Sequence, residues 1–134
     1  MEAALNGVDF YRDSRGYIEF RSDARLRYLG MWLVDDVHGV HDTCLDLLAD
    51  LEDIAAGRKQ RESWEGNAWA AELSATGVDL QNLWRDQLAA HYALAETQRH
   101  VREYWRLLAQ SPQRGPAVAR WEERNGRRHP YSGL

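Results

Sequence analysis

Val8-Asp9-Phe10-Tyr11-Arg12-Asp13-Ser14-Arg15-Gly16-Tyr17-Ile18-Glu19-Phe20-Arg21 decides the class of fold. Val8 and Phe10 alternate with polar neighbours, and so do Ile18 and Phe20, which is the period of a strand with one buried face. Asp13-Ser14-Arg15-Gly16 between them has turn composition, with Gly16 free to take positive φ. The stretch predicts a β-hairpin. The period then changes. Leu26, Leu29, Leu33, Val37, Val40, Cys44, Leu47, Leu51 and Ile54 recur in steps of three and four, a single α-helical stripe that Trp32 and Leu48 widen. Ser22 or Asp23 is the expected cap of this long helix and Gly57 its stop. Gly39, costing up to ~1 kcal/mol against Ala, marks a point for a kink or break.

Downstream, Arg58 to Glu62 reads as a charged linker. Trp64 with Ala68 to Leu73, and Val78 to Leu83, read as a second hairpin about the turn Ala75-Thr76-Gly77. Residues 85–96 are ambiguous, with Tyr92 to Leu94 a candidate edge strand. Thr97 is the expected cap of a second helix, Gln98 to Gln110, whose Val101, Tyr104, Trp105 and Leu108 share a face. Ser111-Pro112 ends it. The order predicts an α+β fold: two β-hairpins forming an antiparallel sheet, packed against a long N-terminal helix and a C-terminal helix. Residues 1–110 form the expected domain. Residues 111–134 form an Arg-rich extension, partly helical or mobile, with one or two helical turns over Ala117 to Asn125 and a mobile end from Gly126 to Leu134.

The 134 residues suffice for a single core, and a 44% hydrophobic, 28% charged composition is that of a globular chain. No apolar run approaches the ~20 residues of a membrane span, and residues 1–7 lack the basic and apolar regions of a leader. Cys44 is the sole cysteine, which rules out an internal disulfide. These features predict a cytoplasmic protein. The net charge of -4 is unevenly spread. Residues 111–134 carry five Arg against two Glu, and residues 1–110 carry 12 basic against 19 acidic groups. An acidic body disfavours direct nucleic-acid binding and suits a basic partner.

Chemistry-bearing motifs are sparse. His38, His41 and Asp42 come nearest to a metal motif, with His91 the candidate for the third ligand such a site requires, but His41 beside the apolar stripe and His38 on the solvated side are not expected to be ligands. Cys44 lies in the apolar stripe, where a thiol packs as a small hydrophobe. Gly-rich phosphate loops and a nucleophile elbow are absent from the sequence. The expectation is a non-catalytic chain without a cofactor or metal.

The most specific feature is acidic. Between Asp23 and Gly57 stand eight acids and, after Arg27, no basic residue. Asp42, Asp46 and Asp50 step by four and Asp53 follows by three, a carboxylate ridge opposite the apolar stripe. Like charges at that spacing each cost ~0.2–0.5 kcal/mol, so helix stability does not account for the ridge. Asp35, Asp36, Asp42, Asp46, Asp50 and Asp53, with Glu65 and Trp69, are the candidate partner-binding residues. Trp69 is counted among them because Trp is enriched in interface hot spots.

Arg12-Asp13 with Gly16, the run Arg27 to Val37 containing Trp32 and Asp35-Asp36, and Ser63 to Trp69 containing Trp64 and Gly66 resemble the small bacterial YacL-like proteins across residues 8–108. The resemblance implies the hairpin, helix, hairpin, helix order. The Arg-rich segment after Ser111 departs from that pattern. The chain is also similar to the small acidic immunity proteins of contact-dependent growth inhibition. That similarity implies an antitoxin that occludes a basic nuclease toxin domain, its carboxylates standing in for phosphates. The alternatives are a small enzyme using His38, His41 or His91, and a self-associating adaptor whose basic tail docks on a neighbour's acidic helix.

Overall fold

A computed structural model describes residues 7–131. The leader reading of residues 1–6 and the end of the tail, 132–134, lie outside the described residues. The fold is α+β, with four helices and two antiparallel sheets among the described residues.

Strands β1 (Val8–Arg12) and β2 (Ile18–Ser22) form the expected hairpin, with Phe10 opposite Phe20. Asp13 closes its turn by accepting the backbone N–H groups of Arg15 and Tyr17 at 2.9 and 3.0 Å. Asp23 then accepts Leu26 N–H at 2.9 Å, satisfying a free donor where the chain turns into helix. The long helix is divided. Helix α1 (Arg27–Trp32) runs into a π-helical turn, Leu33–Val37, and α2 (His41–Ala55) starts afresh. Between them His38 and Gly39 are both left-handed, at φ 53° and 72°. Gly39 reaches that region without a Cβ clash, and its freed N–H donates to the Tyr104 hydroxyl at 2.7 Å. The break carries Val40 out of the stripe, leaving it 47% exposed, while Leu33, Val37, Cys44, Leu47 and Leu51 stay buried.

The remaining strands form a separate sheet, so the two hairpins do not join as expected. Strands β3 (Arg61–Glu65), β4 (Trp69–Ser74), β5 (Gly77–Asn82) and β6 (Ala89–Tyr92) follow one another as a meander. β3 takes in the last two residues of the expected linker, Arg61 and Glu62, and the edge strand expected at Tyr92 to Leu94 lies earlier, as β6, because a helix already starts at Leu94. Trp69, Ala71, Leu73, Val78, Leu80 and Tyr92 face the helices. The Tyr92 hydroxyl donates to Arg25 O at 2.8 Å and accepts Leu29 N–H at 3.3 Å, tying β6 to the start of α1.

Helix α3 (Leu94–Leu108) starts before the expected cap. Thr97 lies inside it, its hydroxyl bonded back to Ala93 O at 3.0 Å. Beyond Ser111 the chain forms α4 (Arg114–Asn125), packed on α2 with Ala117 and Trp121 in the common core. The expected mobile end is held as well. His129 is 2% exposed, its Nε2 lying 2.8 Å from Leu45 O and its Nδ1 accepting Tyr131 N–H at 3.0 Å. Among the described residues no helix is long and apolar enough to cross a membrane.

Candidate protein-binding face

Helix periodicity does align Asp42, Asp46, Asp50 and Asp53 along α2, but the ridge is taken up from within the chain. Arg120 reaches Asp42 at 3.1 Å, Arg124 reaches Asp46 at 3.6 Å and Arg127 reaches Asp53 at 2.9 Å. Arg58 holds the other oxygen of Asp53, also at 2.9 Å. Asp50 accepts Lys59 at 2.9 Å and the Trp64 indole N–H at 2.8 Å. Helix α4 thus does within the chain what a basic partner was expected to do. The pairing expected between the tail and a neighbouring copy is likewise made in cis. Burial beneath α4 raises the Asp46 carboxyl above its ordinary range, against the lowering effect of Arg124. Arg120 and Arg124 stand one turn apart on α4, and Arg127 follows its left-handed Gly126 cap. The sequence places arginines at these positions, but which acid each one meets is set by the packing of α4 on α2.

Asp35 and Asp36 leave the π turn towards β4. Asp36 accepts Ala68 N–H at 3.0 Å and Trp69 N–H at 2.9 Å, and Asp35 accepts the Trp69 indole N–H at 3.2 Å. Gly66 passes so close that a Cβ there would overlap the Asp36 carboxylate. Burial raises the Asp36 carboxyl, and the backbone N–H groups that it accepts pull it back down. These two acids anchor the sheet to the helix layer. Trp69 is fully buried, tilted against Tyr28 at 5.8 Å, and presents no surface.

Glu65 is different, because it stands on the side of the sheet that faces away from the helices. Alternation along the strands places Ser63, Glu72, Asp79 and His91 in one cross-strand row, and Glu65, Ala70, Gln81 and Ala89 in the next. The Ser63 hydroxyl donates to the Glu72 carboxylate at 2.7 Å, and His91 Nδ1 lies 2.7 Å from Asp79 Oδ1. Glu72 is directly opposite Asp79, an arrangement of like charges that weakens a sheet. A shallow groove of about 500 Å3 runs over this face, floored by Ala70 and Ala89. Glu65, Glu72 and Asp79 make the face acidic, with Arg61 at its far corner.

At the Glu65 end the loop after β5 projects Leu83, 38% exposed, and Trp84, 79% exposed. Trp84 does not swing freely. Its indole N–H donates to Asn67 O at 2.9 Å, and its backbone N–H donates to Asn82 Oδ1 at 2.9 Å. Trp84 was not among the candidate partner-binding residues. The missed signal is its setting, Asn82-Leu83-Trp84-Arg85-Asp86, where strand alternation gives way to loop residues.

His41 is buried with Nε2 2.8 Å from Leu108 O, and exposed His38 lies apart from it beyond the helix break. Burial pushes the Cys44 thiol far up, which disfavours its thiolate. Among the described residues no group of three or more His, Cys, Asp or Glu is placed to hold a metal ion. In comparison with known proteins, no family model, no curated protein and no solved structure matches this chain.

Proposed function

We propose that this chain is a cytoplasmic, non-catalytic protein-binding module of the immunity or antitoxin type, which covers a basic nuclease domain with the open face of its four-stranded sheet. The observation that carries the reading is Trp84, a large aromatic left 79% exposed yet tethered by its indole N–H to Asn67 O, with its backbone N–H held by Asn82. Trp is enriched among residues that dominate binding energy, and a pre-ordered one loses little freedom on docking. The occupant is a basic protein surface because Glu65, Glu72 and Asp79 offer it complementary charge. The same carboxylates repel nucleic-acid phosphates. The groups that recognise the partner are therefore Trp84, Leu83, Glu65, Glu72 and Asp79, while the α2 acids serve the fold. Docking there places carboxylates where the partner's Lys and Arg await phosphate, and blocks substrate by occlusion.

The test uses the tagged full chain to retain partners from its source cells, followed by nuclease assays of the retained protein with and without the chain. Trp84→Ala is expected to weaken binding by at least ~2 kcal/mol and to relieve inhibition, leaving the fold intact. Asp42→Ala with Arg120→Ala is expected to leave binding unchanged. A retained protein that is acidic, or whose activity the chain leaves untouched, overturns the reading.

A further inference from the structure

The four-stranded sheet ends on β3, Arg61-Glu62-Ser63-Trp64-Glu65, and among the described residues no further strand covers that edge. Gly66 N–H donates to Trp69 O at 2.9 Å, which makes these residues the closing hydrogen-bonded pair of the β3–β4 hairpin. Antiparallel pairing alternates from there. Trp64 and Glu62 turn their backbone N–H and C=O groups inward, to Ala71 and Leu73. Arg61, Ser63 and Glu65 turn theirs outward, and among the described residues no hydrogen bond takes them up. A row of free backbone groups of this kind is a template for another strand.

Charged side chains guard an edge when like signs meet across it. β3 instead carries opposite signs at its ends, Arg61 and Glu65. Both side chains are exposed on the open face of the sheet, with exposed Ser63 between them. We infer that β3 joins β3 of a second copy of this chain, antiparallel about a twofold axis through Ser63, so that two sheets become one. The register follows from the groups to be satisfied. Only residues with outward backbone groups can face one another. Centring on Ser63 sets it against the second copy's Ser63, and sets Arg61 against the second copy's Glu65 at each end. Every facing pair then exchanges both of its hydrogen bonds, and an ion pair closes each end.

A slip of two residues along the edge opposes Ser63 to Arg61 or to Glu65, and leaves neither ion pair within the strands. The contact is isologous, so association stops at a closed dimer that uses up the edge. The opposite edge offers no such complement, because β6, Ala89-Ala90-His91-Tyr92, contains no acid and no Arg or Lys. Glu72 and Asp79 lie on the strands behind β3 and stay open in the dimer. Self-association therefore sets two copies of the open face side by side, and it does not depend on what that face binds.

The experiment is sedimentation equilibrium of the full chain alone, from roughly 10 μM to 0.5 mM. Wild type is expected to pass from monomer to dimer across that range. Arg61→Glu and Glu65→Arg each place like charges across the axis and are expected to weaken self-association at least ~5-fold. Both positions are exposed, and circular dichroism is expected to show an unchanged fold. A mixture of the two variants rebuilds both ion pairs in the mixed dimer and is expected to recover wild-type association. Ser63→Cys is expected to give a disulfide-linked dimer with oxidised glutathione, because the Cα atoms of a facing hydrogen-bonded pair stand about 5.5 Å apart, within disulfide reach. Cys44 is buried and does not compete. A chain that stays monomeric at roughly 0.5 mM overturns the proposal. So do single variants that associate like wild type, a mixture that associates no better than either variant, and a Ser63→Cys chain that dimerises without forming the disulfide.

Discussion

Replacing His129 by Ala is expected to cost roughly 3 kcal/mol near pH 7.5, and less near pH 5. The side chain is 2% exposed and bonded through both ring nitrogens, to Leu45 O at 2.8 Å and to Tyr131 N–H at 3.0 Å. Nδ1 can accept only if it is unprotonated, so the folded chain holds a neutral imidazole whose Nε2–H donates to Leu45 O. Two buried hydrogen bonds contribute about 1 kcal/mol each, and the edge-on contact with Trp121 adds about 1 kcal/mol more. That contact has centroids 4.5 Å apart at 77°. Burial lowers the His129 pKa below its ordinary value, with nearby Arg127 acting in the same direction. A histidine with a depressed folded pKa contributes stability that is full above its unfolded pKa and is lost as pH falls through the folded one. The gap between wild type and His129→Ala in urea melts is therefore expected to narrow between about pH 7.5 and pH 5. Working with the gap removes the opposite contributions of Asp36 and Asp46. Their raised carboxyls favour folding most when protonated, and lose that contribution as pH rises through their folded pKa values. A gap of equal size at both pH values refutes the assignment of a neutral, doubly bonded His129.

Leu47→Ala, at a fully buried position of α2, is expected to lose ~2–5 kcal/mol in urea melts, whereas Arg120→Ala, at an exposed ion pair, loses ~0.2–1 kcal/mol. Comparable losses from the two would mean that α4 is held by charge and not by Trp121 and Ala117. Gly66→Ala is expected to displace Asp36 from the Ala68 and Trp69 N–H groups and cost ~1–3 kcal/mol, and an unchanged denaturation midpoint would show that the carboxylate has room to yield. Cys44 is fully buried, so a thiol reagent is expected to modify it only as fast as the chain opens. Rapid modification of the native protein, followed by mass spectrometry, would contradict that burial.

Local pattern decided the first hairpin, the apolar stripe of the first helical region and the face of α3. In each, side chains at a regular period meet the core whatever lies across from them, and period is a property of the chain. The break at Gly39 was marked in advance for the same reason, since a residue without Cβ announces where backbone can depart from helix. Val40 continued the stripe in sequence and left it in space, because two left-handed residues before it rotate the helix that follows. Whether the two hairpins share a sheet was beyond local pattern, since alternation specifies a strand's faces and not its neighbour. The functional residues divide in the same way. The spacing of Asp42, Asp46, Asp50 and Asp53 established a ridge, and only tertiary packing determined that Arg120, Arg124, Arg127 and Lys59 neutralise it. Charge pairing depends on which surfaces meet, and those surfaces lie 9 to 78 residues apart in sequence. Trp69 and Trp84 are the same residue type on one sheet and its loop. Core packing against Tyr28 buries the first, and the turn away from the helices exposes the second. Exposure is set by what packs above a side chain, which no single stretch of sequence encodes.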